Sequence, residues 1–134
     1  MALDVGSKRI GIAISDTTQN FAFPRKAISR KNGIANISTL LLNEDVELII
    51  VGMPYLPSGE VGTQAKITKQ FIVELSQSAK IKIEPVDERM STKEAINKSE
   101  EIPYLSKKIK KDKGVLDSYS AAVILQYYLD HIKN

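Results

Sequence analysis

The chain has no cysteine, no tryptophan and only one histidine among its 134 residues. The absence of cysteine excludes disulfides and thiolate chemistry and argues against a zinc site of the usual Cys/His kind. A single histidine, His131, cannot build a histidine-based triad or a multi-histidine metal site. Carboxylates and cations are therefore the candidate chemical groups.

Long hydrophobic runs are also absent. The longest apolar stretch lies around residues 48–53 and is far shorter than the roughly 20 residues that cross a membrane. Asp4 interrupts the place where the apolar region of a signal peptide would start, so we expect no signal peptide and a cytoplasmic location. Chain length and 43% hydrophobic residues are typical of one soluble domain over residues 1–134.

Positive charge is concentrated in one segment. The net charge is only +3, but residues 106–114 (SKKIKKDKG) carry Lys107, Lys108, Lys110, Lys111 and Lys113. Such a run is commonly a solvated loop, whereas the sharper hypothesis is contact with a phosphate-rich partner.

The hydrophobic pattern predicts three strands followed by alternating helices and strands. Strands are predicted over 1–6, 9–15, 21–29, 46–54 and 81–88, and helices over 33–45, 63–78, 91–100 and 115–133. Gly11 and Ala13 give the second strand one small face, which favours a closely packed helix, and Pro24 places the third strand at an edge or bulge. The apolar run 48–51 is typical of a parallel strand that is covered on both faces.

Two details of the helices are predicted as well. In the helix over 63–78, the spacing of Ile67, Phe71 and Leu75 predicts one buried stripe. Ser91 and Glu94 form an S-x-x-E capping box, which predicts that the next helix starts at Ser91. The whole pattern indicates an α/β fold with a mixed sheet and helices on both faces.

Acidic residues fall at the ends of these elements. Asp4 lies in the first strand, Asp87 and Glu88 end the last strand, and Asp117 lies in the first turn of the final helix. Each has an ordinary explanation as a turn, strand-end or capping residue. Together, without a usable histidine or cysteine, they match divalent-metal phosphoryl chemistry, because Mg²⁺ prefers oxygen ligands.

Four segments carry a resemblance to a known family: 3–16 (LDVGSKRIGIAISD), 51–65 (VGMPYLPSGEVGTQA), 86–95 (VDERMSTKEA) and 116–129 (LDSYSAAVILQYYL). In order and spacing they resemble the signature blocks of the YqgF (RuvX) family over essentially the whole chain. The resemblance implies a ribonuclease H-like fold with a five-stranded mixed sheet, three antiparallel strands preceding the parallel ones. It also implies a nuclease that trims the 5′ end of precursor 16S ribosomal RNA or, alternatively, a Holliday-junction resolvase acting on branched DNA.

The family's acidic site transfers to Asp4, Glu88 and Asp117 as catalytic residues and as ligands of Mg²⁺ or Mn²⁺. Asp87 is the alternative to Glu88, because the two lie on opposite faces of their strand and a sheet covered on both sides excludes neither. Family members usually have a few more residues before the aspartate, so we expect a short first strand here, with Asp4 less rigidly held.

Cations beside these carboxylates are expected to hold the nucleic-acid backbone: Lys8, Arg9, Arg89, Lys107, Lys108, Lys110 and Lys111. The partner is then precursor rRNA, with ribosome association, or branched DNA, and not a membrane. A junction resolvase normally acts as a homodimer, whereas an RNA-trimming enzyme can act as a monomer.

Two other classes of protein compete with this interpretation. The pattern D-x-G followed by G-x-A-x-x-D also occurs in the phosphate-binding hairpin of sugar kinases and actin-like ATPases. Their site lies between two such domains, whereas this chain supplies one, and it has no G-x-x-x-x-G-K-[ST] loop. A non-catalytic nucleic-acid-binding module would keep the cations but would not need three converging carboxylates.

Overall fold

A five-stranded mixed sheet forms the centre of the protein in a computed structural model that describes residues 1–91 and 118–132. Its strands are β1 (Ala2–Val5), β2 (Arg9–Ser15), β3 (Ala22–Ser29), β4 (Leu48–Met53) and β5 (Lys82–Asp87). They lie in the order β3-β2-β1-β4-β5, with β1, β2 and β3 antiparallel and β4 parallel to both β1 and β5. The predicted mixed sheet, its edge strand with Pro24 and its short first strand are confirmed.

Helices cover both faces of this sheet. They are α1 (Gly33–Asn43), α2 (Thr63–Ser78) and α3 (Tyr119–His131), and a further helical segment begins at Glu88 and is described as far as Ser91. Helices α1 and α2 pack with one set of strand residues, which includes Leu3, Ile12 and Val51. Helix α3 packs with the other set, which includes Ala2, Ala13 and Ile50. In the described part of the chain, no helix is long and apolar enough to span a membrane.

The face that α3 covers is built from small residues. Ala2 and Ala13 from the strands lie in the same buried cluster as Ala121 and Ala122 of α3. The pairing of β2 with β3 shifts register between Ile10 and Ile12, and the Ile12 N–H donates to the Ser118 hydroxyl at 2.9 Å. The start of α3 is therefore anchored directly to β2, as the small face of that strand predicts.

The predicted stripe of α2 is partly wrong. Phe71 and Leu75 are buried as expected, but Ile67 is 44% exposed and its place in the core is taken by Ala65 and Thr68. Thr68 can be buried because its hydroxyl donates to the Gln64 carbonyl at 3.0 Å. The buried face of α2 therefore includes smaller side chains, Ala65 and Thr68, than the apolar pattern predicts.

The predicted helix start at Ser91 is also wrong. The helix begins at Glu88, and the Ser91 hydroxyl donates to the Glu88 carbonyl of the preceding turn at 2.9 Å. The cap is Asp87, whose carboxylate accepts from the Arg89 N–H at 3.0 Å, as an N-cap side chain does. Glu94, the other half of the predicted box, lies outside the described residues.

We expect Ala13→Leu to destabilise the protein by about 1–3 kcal/mol, because a larger side chain between β2 and α3 overpacks a filled core. The measurement is the free energy of unfolding in urea. Ala35→Leu is the matched control, since Ala35 is exposed on α1 and should leave stability nearly unchanged. Equal stability of the two variants would show that α3 does not pack tightly on β2.

Candidate active site

Strands β1, β4 and β5 end at the same edge of the sheet. They are parallel, with Leu3 opposite Val51 and Met53 opposite Asp87, so Asp4 and Glu88 lie on either side of the end of β4. In open α/β sheets, ligands bind at the carboxyl ends of such strands. This carboxyl edge is therefore the candidate active site.

Strand alternation gives Asp4 and Glu88 the same face. Side chains two residues apart share a face, and Ala2, Ile50 and Val86 all lie in the cluster covered by α3. Asp4 follows Ala2 by two residues and Glu88 follows Val86 by two. Both carboxylates therefore lie on the side of the sheet that α3 covers.

Gly52 makes room for the Glu88 carboxylate. A Cβ atom at Gly52 would lie 2.9 Å from Glu88 Oε2 and 2.5 Å from Ile124 Cδ1, closer than either neighbour allows. The Glu88 carboxylate thus packs directly against the Gly52 backbone. Gly52 is not among the predicted site residues, although it is the first glycine of the segment GMPYLPSG (52–59).

Asp4 is half-buried in β1, opposite Gly11 of β2. Burial raises the pKa of its carboxyl group, and a hydrogen bond donated by the Ser120 hydroxyl acts in the opposite direction. Ser120 lies in the first turn of α3, which Ser118 anchors to β2. Ser120 is not among the predicted site residues, because nothing in its spacing distinguishes it from an ordinary helix-surface serine.

Glu88 is the more strongly perturbed of the two acids. Burial, followed by the negative charges of Asp4 and Asp87, raises the pKa of Glu88 to about 7. Like charges that share a site disfavour the ionised form, so the neighbouring carboxylates add to the upward shift in pKa that burial causes. Asp4 and Glu88 thus form a pair of oxygen donors that hold less negative charge near neutral pH than two isolated acids would.

Asp87 pairs with an arginine and not with the other acids. Its carboxylate pairs with the Arg89 side chain, with a shortest distance of 2.6 Å between Nη2 and Oδ2. The hydrogen bond from Arg89 is the main cause that lowers the pKa of Asp87. The structure therefore brings Glu88, rather than Asp87, to Asp4.

Two of the predicted cations lie at the same edge. Lys8 and Arg9 are exposed in and after the turn that follows β1. Gly6 is needed in that turn, because its N–H donates to the Arg9 carbonyl at 2.9 Å and a Cβ there would lie 2.7 Å from the same oxygen. The Arg30 N–H donates to the Lys8 carbonyl at 2.9 Å, but the Arg30 guanidinium lies over the Phe71 ring, 4.6 Å from its centroid, on the opposite face of the sheet.

The remaining predicted site residues lie outside the described part of the chain. They are Asp117, which directly precedes Ser118 in the sequence, and Lys107, Lys108, Lys110 and Lys111. Among residues 1–91 and 118–132, no group of three or more His, Cys, Asp or Glu side chains is arranged to hold a metal ion. The described part of the acidic site consists of the Asp4–Glu88 pair.

The strand order and the acidic carboxyl edge define a protein of the ribonuclease H-like class. The chain belongs to the RuvX family, whose model is described as Holliday junction resolvase and matches residues 1–131. It is 38% identical to a protein of Roseiflexus sp. (strain RS-1), with 97% of this chain and 92% of the relative covered. It is also 38% identical to a protein of Synechocystis sp. over 97% of this chain and 86% of that relative. Both relatives carry the name "Putative pre-16S rRNA nuclease".

We expect Glu88→Gln to change the pH dependence of stability. The native state holds the Glu88 proton more tightly than the unfolded chain does, so this residue's contribution to stability falls as the pH rises from its ordinary pKa of 4.5 to about 7. The variant should therefore match wild type at about pH 4 and be more stable at about pH 8.

Thermal unfolding at the two pH values measures this effect. Glu74→Gln is the control, because Glu74 is an exposed carboxylate on α2, and its difference from wild type should be the same at both pH values. A Glu88→Gln difference that is equally independent of pH would show that the native fold does not disfavour the ionised Glu88 carboxylate.

Proposed function

We propose that this chain is a divalent-metal-dependent nuclease that acts in the cytoplasm on the 5′ end of precursor 16S ribosomal RNA. Membership of the RuvX family and the nuclease names of its relatives support a hydrolase of phosphodiester bonds with a nucleic-acid substrate. The observation that carries the proposal is the convergence of Asp4 and Glu88 on one face of the carboxyl edge, where the pKa of both is raised.

The donor set fits Mg²⁺ or Mn²⁺. Asp4 and Glu88 offer hard carboxylate oxygens in a half-buried position, and one or two carboxylates suffice when substrate phosphate and water complete the coordination. We assign the ion to Asp4 and Glu88, with Asp117 as a third ligand. When bound, such an ion supplies Lewis-acid stabilisation of phosphate oxygens and a more acidic water molecule.

The protein's own groups prepare the site for a bound ion and a phosphate backbone. Ser120 holds the Asp4 carboxylate through a hydrogen bond, and Gly52 leaves the space that Glu88 occupies. Burial and neighbouring negative charge raise the pKa of Glu88 to about 7, and a bound cation would favour the ionised carboxylate that acts as its ligand. Lys8 and Arg9 face solvent at the same edge, where they can position the phosphate backbone without reading bases.

We expect Asp4→Asn to lower the cleavage rate by about a hundredfold or more, since an interaction made in the transition state is lost. Excess chelator should abolish wild-type cleavage, and added Mg²⁺ or Mn²⁺ should restore it. Asp45→Asn, a change at an exposed carboxylate between α1 and β4, is the control and should cleave like wild type. Undiminished cleavage in chelator would contradict the proposed metal dependence, and a wild-type rate in Asp4→Asn would make Asp4 a structural residue.

A direct comparison of substrates tests the proposed RNA. We expect faster cleavage of an RNA that spans the 5′ end of precursor 16S rRNA than of a four-way DNA junction at equal concentration. Cleavage is followed on end-labelled substrates with Asp4→Asn protein as the control for contaminating nucleases. Symmetric cleavage of the junction, with the RNA left intact, would support the resolvase that the family description names and would contradict our proposal.

A further inference from the structure

The Arg89 side chain joins two parts of the protein. Its Nε donates to both carboxylate oxygens of Asp87 at 3.0 and 3.1 Å, and Nη2 donates to Oδ2 at 2.6 Å. Its Nη1 donates to the carbonyl oxygens of Pro57 at 3.2 Å and Leu56 at 3.5 Å. A planar guanidinium can hold a carboxylate with one edge and carbonyl groups with the other, whereas a lysine ammonium cannot.

The carbonyl groups that Arg89 binds belong to a tight turn. The Gly59 N–H donates to the Leu56 carbonyl at 2.7 Å, and the Leu56 N–H donates to the Glu60 carbonyl at 3.0 Å. Gly59 has φ of +89°, a conformation that favours glycine. A Cβ atom at Gly59 would lie 3.5 Å from Arg89 Nη1, so the turn lies directly against the guanidinium.

This turn lies in residues 54–62, which we call the β4–α2 loop. The loop follows Met53, whose pairing partner in β5 is Asp87, and Gly52 just before it supports the Glu88 carboxylate. Leu56 at the turn is 45% exposed. The loop therefore borders the Asp4–Glu88 pair and presents a partly apolar surface to solvent there.

We propose that Arg89 is a positioning residue that, anchored by Asp87, holds the β4–α2 loop in a fixed shape beside the active site. Asp87 has two structural tasks in this arrangement, as the N-cap of the following helix and as the anchor of Arg89. Arg89 then serves the protein rather than the nucleic-acid backbone, and Asp87 is not a metal ligand. The effect on cleavage rests on the proposed nuclease function, whereas the effect on the loop does not.

Charge supports the same assignment. The Arg89 and Asp87 side chains are 39% and 30% exposed and form an ion pair, so the pair carries no net charge. Binding of phosphate groups by free cations releases counterions and makes affinity depend on salt. A neutral pair contributes little to that dependence, so loss of the Arg89 charge together with its partner's should leave the salt slope unchanged.

The test uses Arg89→Gln, Asp87→Ser and the double variant, which removes both charges of the pair, in the full-length chain. Serine at position 87 keeps a good helix cap and cannot hold the guanidinium, so the helix start is preserved. Lys82→Gln is the matched control, because Lys82 and Glu84 form an exposed ion pair on the same strand with the same spacing, 2.9 Å apart.

We expect hydrogen exchange at the Leu56 and Gly59 amides to become about tenfold faster than in wild type in each single variant. The double variant should exchange at the same rate as the single variants, because both changes break the same contact. The value of kcat/KM for RNA cleavage should fall about tenfold or more in all three, because a wall of the site is no longer held in place. Lys82→Gln should change neither quantity. The salt slope of RNA binding, measured in chelator, should stay at its wild-type value in the double variant.

Two results would overturn the proposal. Unchanged loop exchange with a flatter salt slope in the double variant would make Arg89 a phosphate contact. Unchanged loop exchange with abolished cleavage in Asp87→Ser alone would make Asp87 a metal ligand. If wild type cleaves no nucleic acid, the proposed function fails, and loop exchange alone decides whether Arg89 holds the loop.

Discussion

The burial of the Asp4 and Glu88 carboxylates at one edge of the sheet is the constraint on which the rest of that edge depends. Both acids are half-buried, and each would be less perturbed if it stood alone in water. Burial raises the pKa of both carboxyl groups, and the hydrogen bond from Ser120 offsets part of that shift at Asp4. Such an arrangement lowers native stability at high pH, and a bound cation would relieve that cost.

The fold brings these acids together with few special features. Parallel pairing of β1, β4 and β5 aligns their carboxyl ends, and strand alternation puts both acids on the face of α3. Gly52 supplies the missing volume, and the Ser118–Ile12 hydrogen bond fixes the start of α3 so that Ser120 reaches Asp4. The neighbouring Asp87 faces away and organises the next helix and the β4–α2 loop through Arg89.

Much of the fold could be predicted from the sequence, because alternation in the strands and the apolar run of β4 report burial directly. The predicted burial of Ile67 was wrong because the Thr68 hydroxyl donates a hydrogen bond to the Gln64 carbonyl. This bond allows Thr68, a polar residue, to be buried where an apolar side chain was expected. The predicted helix start at Ser91 was wrong because the N-cap is Asp87, which the sequence pattern placed at the end of the last strand. Strand alternation alone did not decide whether Asp87 or Glu88 lies beside Asp4. The contacts of Arg89 with Asp87 and the space that Gly52 leaves for Glu88 decide it.

Paramagnetic broadening by Mn²⁺ tests most directly whether Asp4 and Glu88 form one cation site. Small amounts of Mn²⁺ are added to isotopically labelled protein without nucleic acid, and the backbone amide signals are followed. We expect the amides of Val5, Gly52, Arg89 and Ser120 to broaden first and to be spared in Asp4→Asn. Broadening that begins instead at Asp16, the acidic turn after the far end of β2, or that is unchanged in Asp4→Asn, would contradict a shared site.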